Sequence, residues 1–164
     1  MYFQVQSRCG IHAINNILGQ PAAVTVQMAM GVAERLAEEE ANFLGTKVPL
    51  NMLASKGGNE LDVRVVFGIL EDLGYTPEFV DNFGRSMRLA SSAIYTGSAF
   101  VLNVDGHYVS YVLRNGTWWY HDSQHPSAVA TCHAALLAHL SCGALSYGRN
   151  GKHGRRVIYF IKNL

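Results

Sequence analysis

Asn115-Gly116 stands between two runs, Tyr108–Leu113 and Thr117–Asp122, that are rich in β-branched and aromatic residues. Asn-Gly accepts the positive φ angles of a two-residue turn whose twist matches that of the flanking strands. The two runs are therefore expected to lie side by side as an antiparallel hairpin. Ala99–Val104 and Arg156–Lys162 have the same composition and extend the hairpin into a sheet. A sheet must bury one face against something else, and the first half of the chain is patterned for helices.

In residues 9–18, CGIHAINNIL, the apolar positions Ile11, Ile14, Ile17 and Leu18 recur at helical spacing. Ser7 is the expected N-cap, and Gly19 with Pro21 is the stop. A longer helix is predicted from Thr25 to Leu44, with Val26, Met30, Ala33, Leu36 and Ala37 on one stripe. Glu34, Glu38, Glu39 and Glu40 fall on or near its other face, and Gly45 ends it. Lys56–Asn59 reads as a loop, Leu61–Leu73 as a helix, and residues 131–140 as a late helix before the last strand. No repeat or long linker interrupts the 164 residues, so the expectation is one domain over 1–164. Its fold class is α+β, with a helical N-terminal half packed on an antiparallel sheet.

Composition narrows the function. Apolar residues make up 49% of the chain and charged residues 15%, which is globular and not disordered. A formal charge of +1 gives no field suited to nucleic acid or to a membrane surface as the main partner. No apolar run approaches the roughly 18 residues that a membrane span requires. Met1-Tyr2-Phe3-Gln4 lacks the layout of a signal peptide. The three cysteines, at 9, 132 and 142, form no C-x-x-C pair, which favours free thiols in a reducing compartment.

Of these thiols, Cys9 stands out by position. A thiol attacks a carbonyl only as the thiolate, and the first turn of a helix, with its unpaired N–H groups and its dipole, favours negative charge. His107, in Asp105-Gly106-His107-Tyr108, opens a predicted strand, and Asp122 closes the next one fifteen positions on. The hairpin brings these two positions close together. A carboxylate there accepts one imidazole N–H and favours the imidazolium that pairs with a thiolate. Gln4, five residues before Cys9, carries an amide suited to an oxyanion, and Gln6 is the competing candidate.

Gln4-x4-Cys9-x2-His12-x2-Asn15-Asn16-x-Leu18 resembles the opening motif of Josephin domains, the ataxin-type deubiquitinases. The likeness extends through the acidic helix Val26–Leu44, the Gly58-Asn59 loop, Ala99–Asn103 before Gly106-His107, and Trp119-Tyr120-His121-Asp122-Ser123. It implies a papain-like fold in which Cys9 is the nucleophile, His107 the general base and acid, Asp122 the orienting residue and Gln4 the oxyanion donor. It also implies hydrolysis of the bond after the C-terminal Gly-Gly of ubiquitin, in a narrow cleft lined by Tyr108 and Trp119, with no metal or organic cofactor. The implied partners are ubiquitin or polyubiquitin, or another ubiquitin-like protein, met by a monomer in the cytoplasm or nucleus. The glutamates of the long helix are then suited to the basic surface around ubiquitin's C-terminal tail. Gly10 departs from the alanine that the family often has, Tyr108 from its common tryptophan, and the arm from Thr25 to about Leu53 is short.

Two other functions share these residues: a papain-like peptidase or amidase with a different substrate, and a catalytically weak ubiquitin-binding module. His12, one turn from Cys9, points along the helix and is read as supporting structure, not as the base. His121, His125, Cys132 and His133 suggest a metal, but the strand around Trp118–Asp122 and Pro126 deny the helix that His-x3-His needs. Arg149, Lys152, His153, Arg155 and Arg156 read as a solvated loop running into a strand.

Overall fold

The computed structural model describes residues 8–55, 57–80, 98–104, 106–142 and 156–161. In chain order the elements are α1 (Cys9–Leu18), α2 (Val26–Leu44), a 3-10 turn (Leu50–Met52), α3 (Val63–Asp72), β1 (Thr76–Val80), β2 (Ala99–Val104), β3 (His107–Arg114), β4 (Thr117–Asp122), β5 (Val129–Thr131), α4 (His133–Cys142) and β6 (Arg156–Ile161). The strands form one antiparallel six-stranded sheet in the order β1-β6-β2-β3-β4-β5. No helix among the described residues is long and apolar enough to cross a membrane.

The hairpin forms as its turn residues require. Asn115 and Gly116 sit at φ 51° and 76°, and the register runs from Arg114 opposite Thr117 to Val109 opposite Asp122. Strand alternation then gives each face of the sheet its own core. Tyr108 and Val112 of β3, with Ala99 and Val101 of β2, join the cluster that contains Ile11, Ile14 and Ile17 of α1 and the apolar faces of α2 and α3. Phe100, Leu102, Tyr111 and Trp118 alternate with them and are buried on the opposite face, where Phe100 and Trp118 have ring centroids 5.3 Å apart. Trp118 Nε1 donates to His133 Nε2 at 3.2 Å, which ties α4 to that face. The helical first half does pack on the sheet, and the late helix lies with the second core.

Helix ends follow local chemistry. Thr25 Oγ1 caps α2 by accepting from Met28 N at 3.3 Å, and Asp62 caps α3 by accepting from Arg64 N at 2.9 Å. Gly19 ends α1 at φ 69°, a left-handed conformation that favours glycine. At the other end of α1 the cap position falls on Arg8, which offers no side-chain bond, while Ser7 lies outside the described residues. Asn15 locks the turn from α1 into α2: its Nδ2 donates to Pro21 O (3.2 Å) and Val24 O (3.1 Å), and its Oδ1 accepts from Val24 N (2.8 Å). The side chain is almost wholly buried, so these bonds are made where water cannot replace them.

The acidic face of α2 is more structured than a purely solvated surface. Glu40 pairs with Arg64 at 3.0 Å and Glu39 approaches Arg35 at 4.0 Å, while Arg35 also bridges to Asp72 of α3 at 3.0 Å. The Glu40–Arg64 and Arg35–Asp72 pairs are partly exposed, so they align α2 with α3 more than they stabilise the fold. Strands β1 and β5 were not expected. Pro77 disguises β1, and β5 has only three residues.

Glycine positions in α2 and α3 provide a paired test. A methyl at Gly31 meets nothing within 4 Å, whereas one at Gly68 meets Val32 Cγ1 at 2.8 Å. Gly31→Ala should stabilise by about 0.5–1 kcal/mol through helix propensity. Gly68→Ala should destabilise by about 1–3 kcal/mol, because stiff, buried Val32 cannot move aside. Asn15→Ala should cost about 2–4 kcal/mol, through three lost bonds in a dry site. Urea denaturation midpoints of the three variants check all of this.

Candidate active site

Cys9 is the first residue of α1 and is only 7% exposed. Its Sγ lies 3.9 Å from Gly106 O, at the turn that leads into β3. That turn is fixed by Asn103 Oδ1, which accepts from Gly106 N at 3.0 Å, and by Gly106 at φ 87°. His107 follows immediately as the first residue of β3. Register places Val109 opposite Asp122, so His107 and Asp122 are diagonal neighbours on one face. His107 Nε2 and Asp122 Oδ1 are 2.8 Å apart. The three residues expected to act together are thus brought to one corner, where α1 begins and β3 starts. Gln4 and Gln6 lie outside the described residues.

The electrostatics of this corner are opposed and unequal. Burial pushes the Cys9 thiol up, and the Asp122 charge adds to that. The N–H groups of Tyr108, Gly10 and Cys9 pull it down, as a helix start should, without overcoming the burial. The thiol therefore does not ionise by position alone and needs a proton acceptor beside it. Asp122 shows the reverse balance. Burial alone raises it, but bonds from Gln124 N (2.9 Å), His107 and the Tyr120 hydroxyl (3.2 Å to Oδ2) leave it below the usual carboxylate range. It stays a carboxylate and can support an imidazolium on His107.

The other expected residues sort differently. His12 is held down by burial and by the Arg8 charge, which disfavours the imidazolium that a thiolate partner must carry. Tyr108 is not on the wall of a cleft: it is 2% exposed, packs on Gly10, and donates its hydroxyl to Leu61 O at 2.7 Å. Trp119 is partly buried against the main core. Of the histidines that suggested a metal, His133 is engaged by Trp118 and His121 is buried, and the described residues hold no cluster of three potential ligands. Tyr120 and the Gln124 N–H are contacts to Asp122 that the sequence reading missed. Period-two alternation along β4 places residue 120 beside 122 and was the available signal.

This is the architecture of the papain-like cysteine peptidases: a thiol at a helix start, set against a histidine and its carboxylate on a strand hairpin. The chain belongs to the Josephin family, whose sequence profile matches residues 4–143. Among solved structures, the crystal structure of the Pseudomonas avirulence protein AvrPphB is similar at a TM-score of 0.46 and 12% identity, over 96% of each chain. No curated protein sequence matches. Family membership rests on the profile match, which spans every element from α1 to α4.

One buried group makes the corner sensitive to acid. His121 is 4% exposed, and neither ring nitrogen has a hydrogen-bond partner among the described residues. Burial and the Arg114 charge hold it down to about 4. Between roughly pH 6.5 and 4 the unfolded chain binds a proton there that the native chain refuses, so stability falls as pH falls through that window. The loss should reach about 3 kcal/mol. Asp122, also depressed, adds its own loss only at lower pH, as its carboxylate protonates. Urea unfolding at pH 7, 6 and 5 should show the first decline, to which His12, also held down, adds, and His121→Leu should reduce it markedly; an unchanged slope would remove His121 as a source.

Proposed function

We propose that the chain is a deubiquitinase, a thiol hydrolase that cleaves the peptide or isopeptide bond after the C-terminal Gly-Gly of ubiquitin or polyubiquitin. The observation that carries the reading is the 2.8 Å His107–Asp122 contact beside a buried Cys9 at a helix start. Membership of the Josephin family supports ubiquitin, or a closely related ubiquitin-like protein, as the substrate.

Each step follows from the site chemistry. His107 Nε2 is committed to Asp122, so Nδ1 is the atom that takes the Cys9 proton as the sulfur attacks the glycine carbonyl. The tetrahedral oxyanion is held by the Cys9 backbone N–H and by the amide of Gln4. His107 then returns its proton to the departing amine, leaving a thioester between Cys9 and the ubiquitin carboxyl carbon. Water, deprotonated by His107, attacks that thioester and releases the ubiquitin C-terminus and the free thiol. The raised Cys9 thiol fits this order, since attack and proton transfer are then concerted with substrate present. No metal or organic cofactor enters. Free thiols suit a reducing compartment, and cytoplasm or nucleus would provide it.

A ubiquitin molecule bearing a C-terminal electrophile should label the protein once, and Cys9→Ala should abolish the label. His107→Ala should lower turnover of a ubiquitin C-terminal amide by about 10³-fold or more. Cleavage of unrelated peptides with no labelling would replace ubiquitin by another substrate. Tight ubiquitin binding with neither labelling nor turnover would mark a binding module instead.

A further inference from the structure

Asp122 receives more donors than a single orienting bond requires. Its Oδ1 accepts from His107 Nε2 at 2.8 Å and from Gln124 N at 2.9 Å, and its Oδ2 accepts from the Tyr120 hydroxyl at 3.2 Å. His125 Nε2 lies 3.7 Å from Oδ2, too far for a hydrogen bond, on a side chain 67% exposed. Tyr120 is the one side chain among the described residues with a hydrogen bond to Oδ2 that a solvated group does not share. Its ring is braced from the neighbouring strand: Tyr111, its register partner, stacks on it with centroids 5.1 Å apart at 45°.

We propose that Tyr120 is a positioning residue of the active site, its hydroxyl pinning Asp122 Oδ2 so that Oδ1 stays directed at His107. The inference rests on the Cys9–His107–Asp122 reading above. A carboxylate turns easily about its last torsion, which has a broad two-fold profile, so a contact at one oxygen leaves the plane of the group loosely set. Anchoring the second oxygen fixes that plane, and with it the ring orientation of the histidine that the first oxygen holds. Gln124 N–H fixes Oδ1 from the backbone, and Tyr120, two residues earlier on β4, fixes Oδ2. Burial and the Asp122 charge keep the phenol up at about 12, so it remains a donor wherever a cysteine–histidine pair operates.

The test reads Cys9 directly and needs no assumption about substrate. In a Cys132→Ser/Cys142→Ser background, the rate of alkylation by iodoacetamide at neutral pH reports how well His107 supports the thiolate. Tyr120→Phe keeps the ring contact with Tyr111 and should slow alkylation about threefold to tenfold while the near-UV circular dichroism of the folded protein is kept. Asp122→Ala should slow it further, and adding Tyr120→Phe to Asp122→Ala should change nothing more. Alkylation by Tyr120→Phe at the parent rate or faster, with Asp122→Ala slow, overturns the inference and leaves the site reading intact. An equal penalty in both backgrounds also overturns it, because a packing role would persist without Asp122. If Asp122→Ala itself reacts at the parent rate, the site reading falls and the inference falls with it.

Discussion

Helix α1 is fastened to strand β3 at both ends. At its start, Cys9 Sγ rests 3.9 Å from Gly106 O, and at its finish the Arg114 guanidinium donates to Asn16 O at 2.7 Å. The second bond also places a cation at the negative end of the helix dipole, on a carbonyl that Gly19 N reaches as well at 3.3 Å. Between these fastenings Ile14 and Ile17 are fully buried in the cluster that holds Tyr108 and Val112. Burying two such side chains stabilises by about 3–6 kcal/mol, enough to hold the helix at one register on the strand. A helix that slipped by one residue would carry Cys9 off the start of β3, so the packing of this pair sets the geometry of the site.

Placing a thiol and a carboxylate at this junction creates a conflict that the surrounding bonds resolve unequally. The Asp122 carboxylate is kept ionised by three donors, and its charge then raises the nearby thiol. Burial raises the thiol more than Asp122 does, so a weaker Asp122 would lower it only in part and would orient His107 less firmly. In the proposed mechanism a proton on His107 would compensate both the thiolate and the carboxylate charges.

How much of this was legible in the sequence differs by kind of interaction. The hairpin was legible because Asn115-Gly116 encodes positive φ locally, and the pairing of His107 with Asp122 follows from that one turn. Helices α1 and α2 were legible from apolar spacing and from Gly19 and Gly45. Strand β1 was not, since it pairs with β6 some eighty residues away and its own composition includes Pro77. The expectation that Tyr108 lines a cleft came from the narrow passage that a Gly-Gly substrate suits, not from the residues around it. The burial of Tyr108 depends on Gly10 and Leu61, which are distant in sequence. The Arg35–Glu39 pair is an i,i+4 neighbour within α2 and was legible, whereas the pairing of Glu40 with Arg64 of α3 was not, since no helical pattern reveals it.

The two departures from the common Josephin pattern touch each other. A Cβ at Gly10 would lie 3.2 Å from Leu61 Cδ1, closer than nine in ten such contacts, and 3.4 Å from Tyr108 Cδ2, at the edge of ordinary contact. The absent methyl leaves the Leu61 side chain and the Tyr108 ring closely packed on α1, beside Cys9. From there the ring reaches Leu61 O with its hydroxyl at 2.7 Å, a bond that an indole at this position has no hydroxyl to make. Leu61 sits in the short bridge with Ala54 that closes the connection between α2 and α3. The residue after the proposed base is therefore tied to the base of the helical arm, through one hydrogen bond made in a dry interior. Glycine at 10 and tyrosine at 108 act as one adjustment: the first makes room, and the second uses it to join the strand of the site to the arm that neighbours it.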